Sequence, residues 1–189
     1  MELQEVRVII NHAYDFFQGK RIETFVQNIP IQKQEIQISE INKLAIVKME
    51  HASNPFLLII HPQAIQLHLQ SLEQLEIGLT IFEVLEEPIR QQLKVDFVLF
   101  NGVIDSETEH YTYNQLLHTS LSDKLKVKML GIDLKSANYE YRLSLNKEVG
   151  RTKVNAKARL QCNLNGVSSK IYNALEELNE ELVQLKDLL

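Results

Sequence analysis

The alternation of apolar and polar residues near the C-terminus is the clearest pattern in the chain. Between Arg151 and Leu164, residues of one parity are apolar and those of the other parity are basic or amide. Successive side chains of a strand point to opposite faces, so the pattern predicts a strand with one buried face and one basic face. The apolar positions are Val154, Ala156, Ala158, Leu160, Cys162 and Leu164.

Two further alternating segments precede this strand, and short polar stretches separate the three. Residues 121–164 are therefore predicted to form a three-stranded antiparallel meander with a basic face. The outward parity of this meander holds one acidic residue well inside it, Glu140. The predicted partner-binding residues on the same parity are Lys124, Lys126, Lys128, Arg142, Lys153, Lys157 and Arg159.

After the meander, residues 168–189 carry apolar residues at spacings of four, three, four, three and four. This spacing is typical of a helix with a heptad seam. Such a seam packs either on the sheet of its own chain or against another molecule, and the sequence leaves both readings open. The seam residues are Ile171, Leu175, Leu178, Leu182, Leu185 and Leu189.

The N-terminal segment also shows helical spacing. In Glu2 to Gln18, the apolar residues recur at intervals of three or four, and Gly19 is a suitable residue for the end of a helix. We therefore expect an N-terminal amphipathic helix. The residues on its apolar stripe are Val6, Ile9, Ile10, Ala13, Phe16 and Phe17.

The middle of the chain is predicted to supply more strands. Phe56–Ile60 is continuously apolar, which is typical of a strand buried on both faces. His61–Glu76 is ambiguous, and its length and its Gln, Leu and Glu content favour a helix. Asn101–Gly102 predicts a turn. The predicted fold is α+β, one domain over residues 1–189, with an antiparallel sheet, an N-terminal amphipathic helix and a long C-terminal helix.

Charge is distributed unevenly along the chain. The net charge is −5, but residues 121–164 hold ten basic and four acidic residues, a net charge of +6, so the remainder carries −11. We see no signal peptide and no apolar run long enough for a membrane span. The single cysteine excludes an intrachain disulfide. We therefore expect a cytoplasmic protein that does not associate with membranes.

The search for catalytic and cofactor motifs finds none. The sequence contains no glycine-rich phosphate loop, no nucleotide fingerprint, no His-Glu-x-x-His and no nucleophile elbow, so we expect no cofactor. Asp105, Glu107 and Glu109 recur at every second residue and are the weak candidates for a divalent cation site. Acidic polar loops are more often simply solvated, so no metal is expected.

These observations favour a non-catalytic binding or assembly protein. It would contact an acidic protein partner, or further subunits of its own, through the basic sheet face and the C-terminal helix. The alternative is a pocket between the sheet and the long helix that binds a lipid or another small apolar molecule, with hydrolytic or lyase chemistry as an option. A further alternative is nucleic-acid binding, which the lack of aromatic residues on the basic face disfavours.

Overall fold

Nine antiparallel strands form one sheet in the structure, a computed structural model that describes residues 1–105, 129–135, 139–146 and 151–188. The spatial order is β2-β3-β4-β5-β1-β6-β9-β8-β7, so the N-terminal strand lies at the centre. The strands are β1 (Glu2–Asn11), β2 (Gln32–Ser39), β3 (Leu44–His51), β4 (Asn54–Ile60), β5 (Ala64–Leu69), β6 (Lys94–Asp105), β7 (Met129–Lys135), β8 (Tyr139–Asn146) and β9 (Arg151–Asn163).

The described residues also form four α-helices and one 3-10 turn. They are α1 (Arg21–Asn28), α2 (Gln74–Thr80), the 3-10 turn Ile81–Val84, α3 (Glu87–Arg90) and α4 (Val167–Leu188). A mixed α+β fold with a long C-terminal helix is therefore confirmed. No helix within the described ranges is long and apolar enough to cross a membrane.

One face of the sheet forms the hydrophobic core. Alternate residues of the central strands are fully buried there, for example Val6, Val8 and Ile10 of β1. Ile22 and Phe25 of α1 belong to the same cluster of buried side chains. Leu75 of α2, Ile81 of the 3-10 turn and Leu178 of α4 also lie in it. The helices that contribute to this core therefore cover the same face of the sheet.

The predicted N-terminal helix is wrong, because the chain begins with the central strand. β1 pairs with β5 on one side and with β6 on the other. Val6, Val8, Ile9 and Ile10 are β-branched, and such residues lose side-chain freedom in a helix but pack well on a pleated surface. The spacing of three and four arose because Phe16, which is fully buried, lies in the loop after the strand rather than on a helix.

Two other segments differ from the prediction. His61–Glu76, predicted as a helix, contains the strand β5 (Ala64–Leu69), and α2 begins only at Gln74. Asn101–Gly102, predicted as a turn, lies inside β6. A Cβ atom at Gly102 would lie 2.7 Å from the backbone oxygen of Glu2, so the glycine permits close approach of β1 rather than a reversal of the chain.

The apolar parity of β9 faces the core as predicted. Val154, Ala156 and Ala158 are buried. Leu160, Cys162 and Leu164 are partly buried and pack against the same core. The decrease in burial after Ala158 coincides with a bulge between β9 and β6, where Gln161 has a φ of 47°. A bulge sets two residues of one strand opposite one residue of its partner and bends the strand locally, which accompanies the weaker burial of the side chains beyond Ala158.

The heptad seam of α4 packs on the sheet of its own chain where the structure describes it. Ile171 and Leu178 are fully buried, Leu182 is almost so, and Leu175 is partly buried. The side chains of Leu185 and Leu189 lie outside the described part of the chain. On the opposite side of the helix, Val183 is 60% exposed.

Replacing Leu178 by Asp is expected to lower the free energy of unfolding by about 3 kcal/mol or more, because a carboxylate would enter an apolar contact without a partner. Urea unfolding followed by circular dichroism measures the change. Val183→Asp introduces the same charge on the exposed side of the same helix and should stay within about 0.5 kcal/mol of wild type. Equal effects of the two substitutions would contradict the packing described here.

Candidate binding face of the sheet

The second face of the sheet is the candidate site, since no helix of the described residues packs on it. The apolar side chains of this face, among them Ile46, Ile59 and Leu99, are partly buried and do not belong to the helix-covered core. We call this surface the open face. A solvated sheet face usually carries polar residues, so apolar side chains at its centre are a departure that needs an explanation.

Strand register places the residues of the open face in rows that run across the sheet. One row passes through all nine strands, and each member is the direct neighbour of the next. We call it the central row. In spatial order it contains Glu35, Lys48, Leu57, His68, Arg7, Leu99, Lys157, Glu140 and Lys135.

Four of the seven predicted partner-binding residues lie in described strands on this face. Arg142 is on β8, and Lys153, Lys157 and Arg159 are on β9. The meander prediction thus places them on one surface, as alternation requires. The other three, Lys124, Lys126 and Lys128, lie outside the described residues.

The basic residues of this surface are partly neutralised. The Nε and Nη2 atoms of Arg142 lie 2.8 and 3.1 Å from the two carboxylate oxygens of Asp133. The hydrogen bond from Arg142 lowers the pKa of Asp133. The sequence pattern predicts Glu140 as the one acidic residue well inside this surface. Asp133 is a second, because the register between β7 and β8 sets it against Arg142.

Lys157 has two neighbours on the open face. Its Nζ atom lies 4.4 Å from the ring centroid of Phe97, a cation–π distance, and 4.0 Å from a carboxylate oxygen of Glu140. The other carboxylate oxygen of Glu140 forms an ion pair with Lys135, whose Nζ atom lies 3.6 Å away. One acidic side chain therefore serves two cations, and the side chains of all three are more than 40% exposed.

Lys153 and Arg159 are exposed, and no carboxylate among the described residues lies within 4 Å of either. Together with their neighbours they leave an excess of positive charge on the β9-β8-β7 part of the open face. We call this part the basic half, and its described members carry a net charge of +3. They are five basic residues, Lys135, Arg142, Lys153, Lys157 and Arg159, and two acidic ones, Asp133 and Glu140.

A network of polar side chains occupies the centre of the open face. The Nε and Nη2 atoms of Arg7 donate to the Oε1 and Oε2 atoms of Glu5 at 2.8 and 2.9 Å. Asn101 donates to Oε2 at 2.7 Å, and Nδ1 of His68 lies 3.3 Å from Oε1. The hydrogen bond from Arg7 is the main cause of the lowered pKa of Glu5, whereas burial lowers the pKa of His68.

Two depressions flank this network. One has a volume of about 530 Å³ and is lined by residues that include Leu99, Asn101, Arg142 and Lys157. The other has a volume of about 280 Å³ and is lined by residues that include Glu5, Lys48 and His68. The open face therefore offers concave surface with mixed apolar and charged walls on both sides of β1.

The contact between the sheet and α4 is filled with side chains. Val154, Ala156 and Ala158 of β9 are at most 2% exposed, and Ile171 of α4 is fully buried. The hydroxyl of Tyr139 donates to the backbone oxygen of Ala174 at 2.7 Å and lies 3.0 Å from Glu177, and burial raises its pKa. These contacts give no support to the alternative of an apolar ligand held between sheet and helix.

The weak metal candidates lie at the edge of the described residues or outside them. Asp105 is the last residue of β6, and Glu107 and Glu109 lie outside the described residues. Within the described ranges, no three His, Cys, Asp or Glu side chains are grouped so that they could hold a metal ion.

Comparison with known proteins gives no family. No protein-family model matches the chain, and no curated protein matches its sequence.

The central network was missed by sequence reasoning. The helical spacing of Glu2 to Gln18 predicts a helix that includes Glu5 and Arg7, and residues two apart on a helix do not face each other. On a strand they lie on the same face, where their opposite charges can pair. The available signal was the alternation of Glu5 and Arg7 with Val6 and Val8.

Replacing Glu5 by Gln is expected to lower the free energy of unfolding at pH 7 by about 1 kcal/mol, because Arg7 loses its ion pair. The folded state lowers the pKa of Glu5, so the stabilisation is present above the ordinary carboxyl pKa and is lost as the pH falls through the folded value. Wild type and variant should therefore converge once the pH is below the lowered pKa of Glu5. Urea unfolding at a series of pH values checks this.

Arg7→Gln serves as the control, since it removes the main cause of the pKa shift and leaves the carboxyl in place. Its stability should also depend less on acid than that of wild type. If Arg7→Gln kept the full acid dependence of wild type, the ion pair would not be its source.

Proposed function

We propose that this chain is a non-catalytic binding protein whose open face docks an acidic protein surface. The observation that carries the proposal is the basic half of that face, with its net charge of +3 and two exposed cations, Lys153 and Arg159, that have no carboxylate partner among the described residues. A surface with one sign of charge attracts and orients a partner of the opposite sign.

The neighbouring depression supports the same function. It has a volume of about 530 Å³ and combines the apolar side chain of Leu99 with two amides, three basic and two acidic side chains. They are Asn101, Asn155, Lys135, Arg142, Lys157, Asp133 and Glu140. Binding surfaces between proteins combine an apolar centre with a polar and charged rim. An acidic segment with apolar residues matches both parts of this wall.

The nucleic-acid alternative receives less support. Phe97 is the aromatic neighbour of the basic residues, and Lys157 lies over its ring at 4.4 Å. The amine occupies one face of this ring, which leaves less aromatic surface on which a base could stack. The net charge of −5 for the whole chain would also repel a polyanion at longer distances.

Substituting both Lys153 and Arg159 by Glu tests the proposal. A fluorescein-labelled peptide of glutamate and leucine should bind wild type with an affinity that falls as NaCl is added. The double variant should bind the peptide at least about tenfold more weakly than wild type. Fluorescence anisotropy measures both. The fold should be unchanged, because exposed charges contribute little to stability.

The matched control is Lys20→Glu together with Lys170→Glu, two exposed lysines away from the open face. This variant has the same net charge as the test variant and should bind the peptide like wild type at moderate salt. Tighter binding of duplex or single-stranded DNA than of the peptide would favour the nucleic-acid alternative. Absence of peptide binding at low salt would overturn the proposal.

A further inference from the structure

The apolar residues of the open face point to a surface that is covered in the working protein. Leu57 and Ile59 of β4 lie on this face, whereas Phe56, Leu58 and Ile60 of the same strand are buried under the helices. A continuously apolar strand is typical of burial on both faces. In the described part of the chain only one face of β4 has a cover, so the composition of the strand fits a second layer on the open face.

The charges of the central row indicate what this layer is. Arg7 of β1 occupies the middle, with four residues on each side. Glu35 and Lys135 are equally far from the middle and opposite in charge, and so are Lys48 and Glu140. Reversal of the row therefore sets opposite charges against each other at these four positions, whereas Lys157 meets the uncharged Leu57.

A neighbouring row repeats the relation. Register places Glu50 on β3 and Arg142 on β8, again three strands from β1 on opposite sides. The two ends of the face differ in overall sign accordingly. The β2-β3 end carries Glu35, Glu50 and Lys48, a net charge of −1, whereas the basic half carries +3.

From these relations we infer that the open face is the interface between two copies of this chain, related by a two-fold axis that runs parallel to the strands over β1. The inference rests on the proposed function and names the β2-β3 end of a second copy as the acidic partner of the β8-β7 edge of the basic half, while Lys153 and Arg159 on β9 lie over β4. Rotation about this axis reverses the order of the strands, so β3 lies over β8 of the second copy and β2 over β7. Two sheets packed face to face lie about 10 Å apart, which is within reach of such side chains.

The charges favour a two-fold axis parallel to the strands over one that is perpendicular to them. An axis perpendicular to the strands would place the basic half of one copy on the basic half of the other, and facing like charges destabilise a contact. With the axis along β1, Glu5, Arg7 and Ile9 meet their own copies. Glu5 holds each Arg7 through two hydrogen bonds and neutralises it.

The apolar residues are also covered by this arrangement. Ile9 on β1 lies on the axis and faces its own copy, and only 9% of its surface is exposed in the single chain. Leu57 lies opposite Lys157 of the second copy, two strands from the axis in each case. The aliphatic stem of a lysine covers apolar surface while its amine stays at the rim.

The inference is tested with two single charge reversals in the full chain, Glu50→Arg and Arg142→Glu. Each places two pairs of like charges in a homodimer, so each should raise the dimer dissociation constant about tenfold or more at low salt. Mixing the two variants in equal amounts should restore the dimer, because both contacts then join Arg to Glu. Sedimentation equilibrium measures the mass of each sample and of the mixture.

Glu40→Arg is the matched control, since it makes the same charge change in the exposed turn between β2 and β3. It should dimerise like wild type. If either test variant loses its circular dichroism spectrum, Lys48→Glu and Glu140→Lys provide a second reciprocal pair for the same mixing experiment.

The outcomes separate this inference from the proposed function. A wild-type chain that stays monomeric at low salt overturns the two-fold contact, and the acidic-peptide titration then decides the proposed function on its own. A wild-type dimer that both reversals leave intact places the interface elsewhere and also overturns the inference. Dimers that are lost in each variant and restored in the mixture support it.

Discussion

The pairing of β1 on both of its edges is the constraint on which the rest of the structure depends. β1 joins β5, which ends the first set of strands, to β6, which leads into the second set. Its buried side chains, Val6, Val8 and Ile10, line the middle of the core under the helices. Without this strand the sheet would divide into two smaller sheets with unpaired central edges, and unpaired edge strands are prone to wrong pairing.

The same strand determines the chemistry of the open face. Because side chains alternate along β1, the residues between the buried ones point to the other face, and these include Glu5 and Arg7. Their pairing with each other, and with Asn101 and His68 from the neighbouring strands, satisfies charges that would otherwise be costly among partly buried apolar side chains. The central polar network is thus a direct consequence of where β1 lies.

The sequence predicted the parts of the fold in which local pattern and tertiary environment agree. The alternation of β9 and the heptad seam of α4 correspond to the strand and helix that are present, since in both segments a single face is buried. The prediction for the β1 segment was wrong because a short run of β-branched residues, followed by a buried aromatic residue in a loop, has the same spacing as the apolar face of a helix. The turn predicted at Asn101–Gly102 was wrong because a glycine that permits close approach of β1 looks the same in the sequence as a glycine in a turn. In both segments the deciding contacts are distant in sequence.

The candidate site shows the same division. Arg142, Lys153, Lys157 and Arg159 were assignable to one face from parity alone, but their ion pairs were not, because Asp133 reaches Arg142 only through the register between β7 and β8. Strand register also fixes the positions of charged residues that are far apart in the sequence. In a strand by itself Glu35 or Lys135 is an ordinary exposed residue, and only the sheet fixes their equal distances from Arg7. Opposite charges at equal distances from a central strand make a face complementary to a reversed copy of itself, whereas a solvated face has no need of such an order.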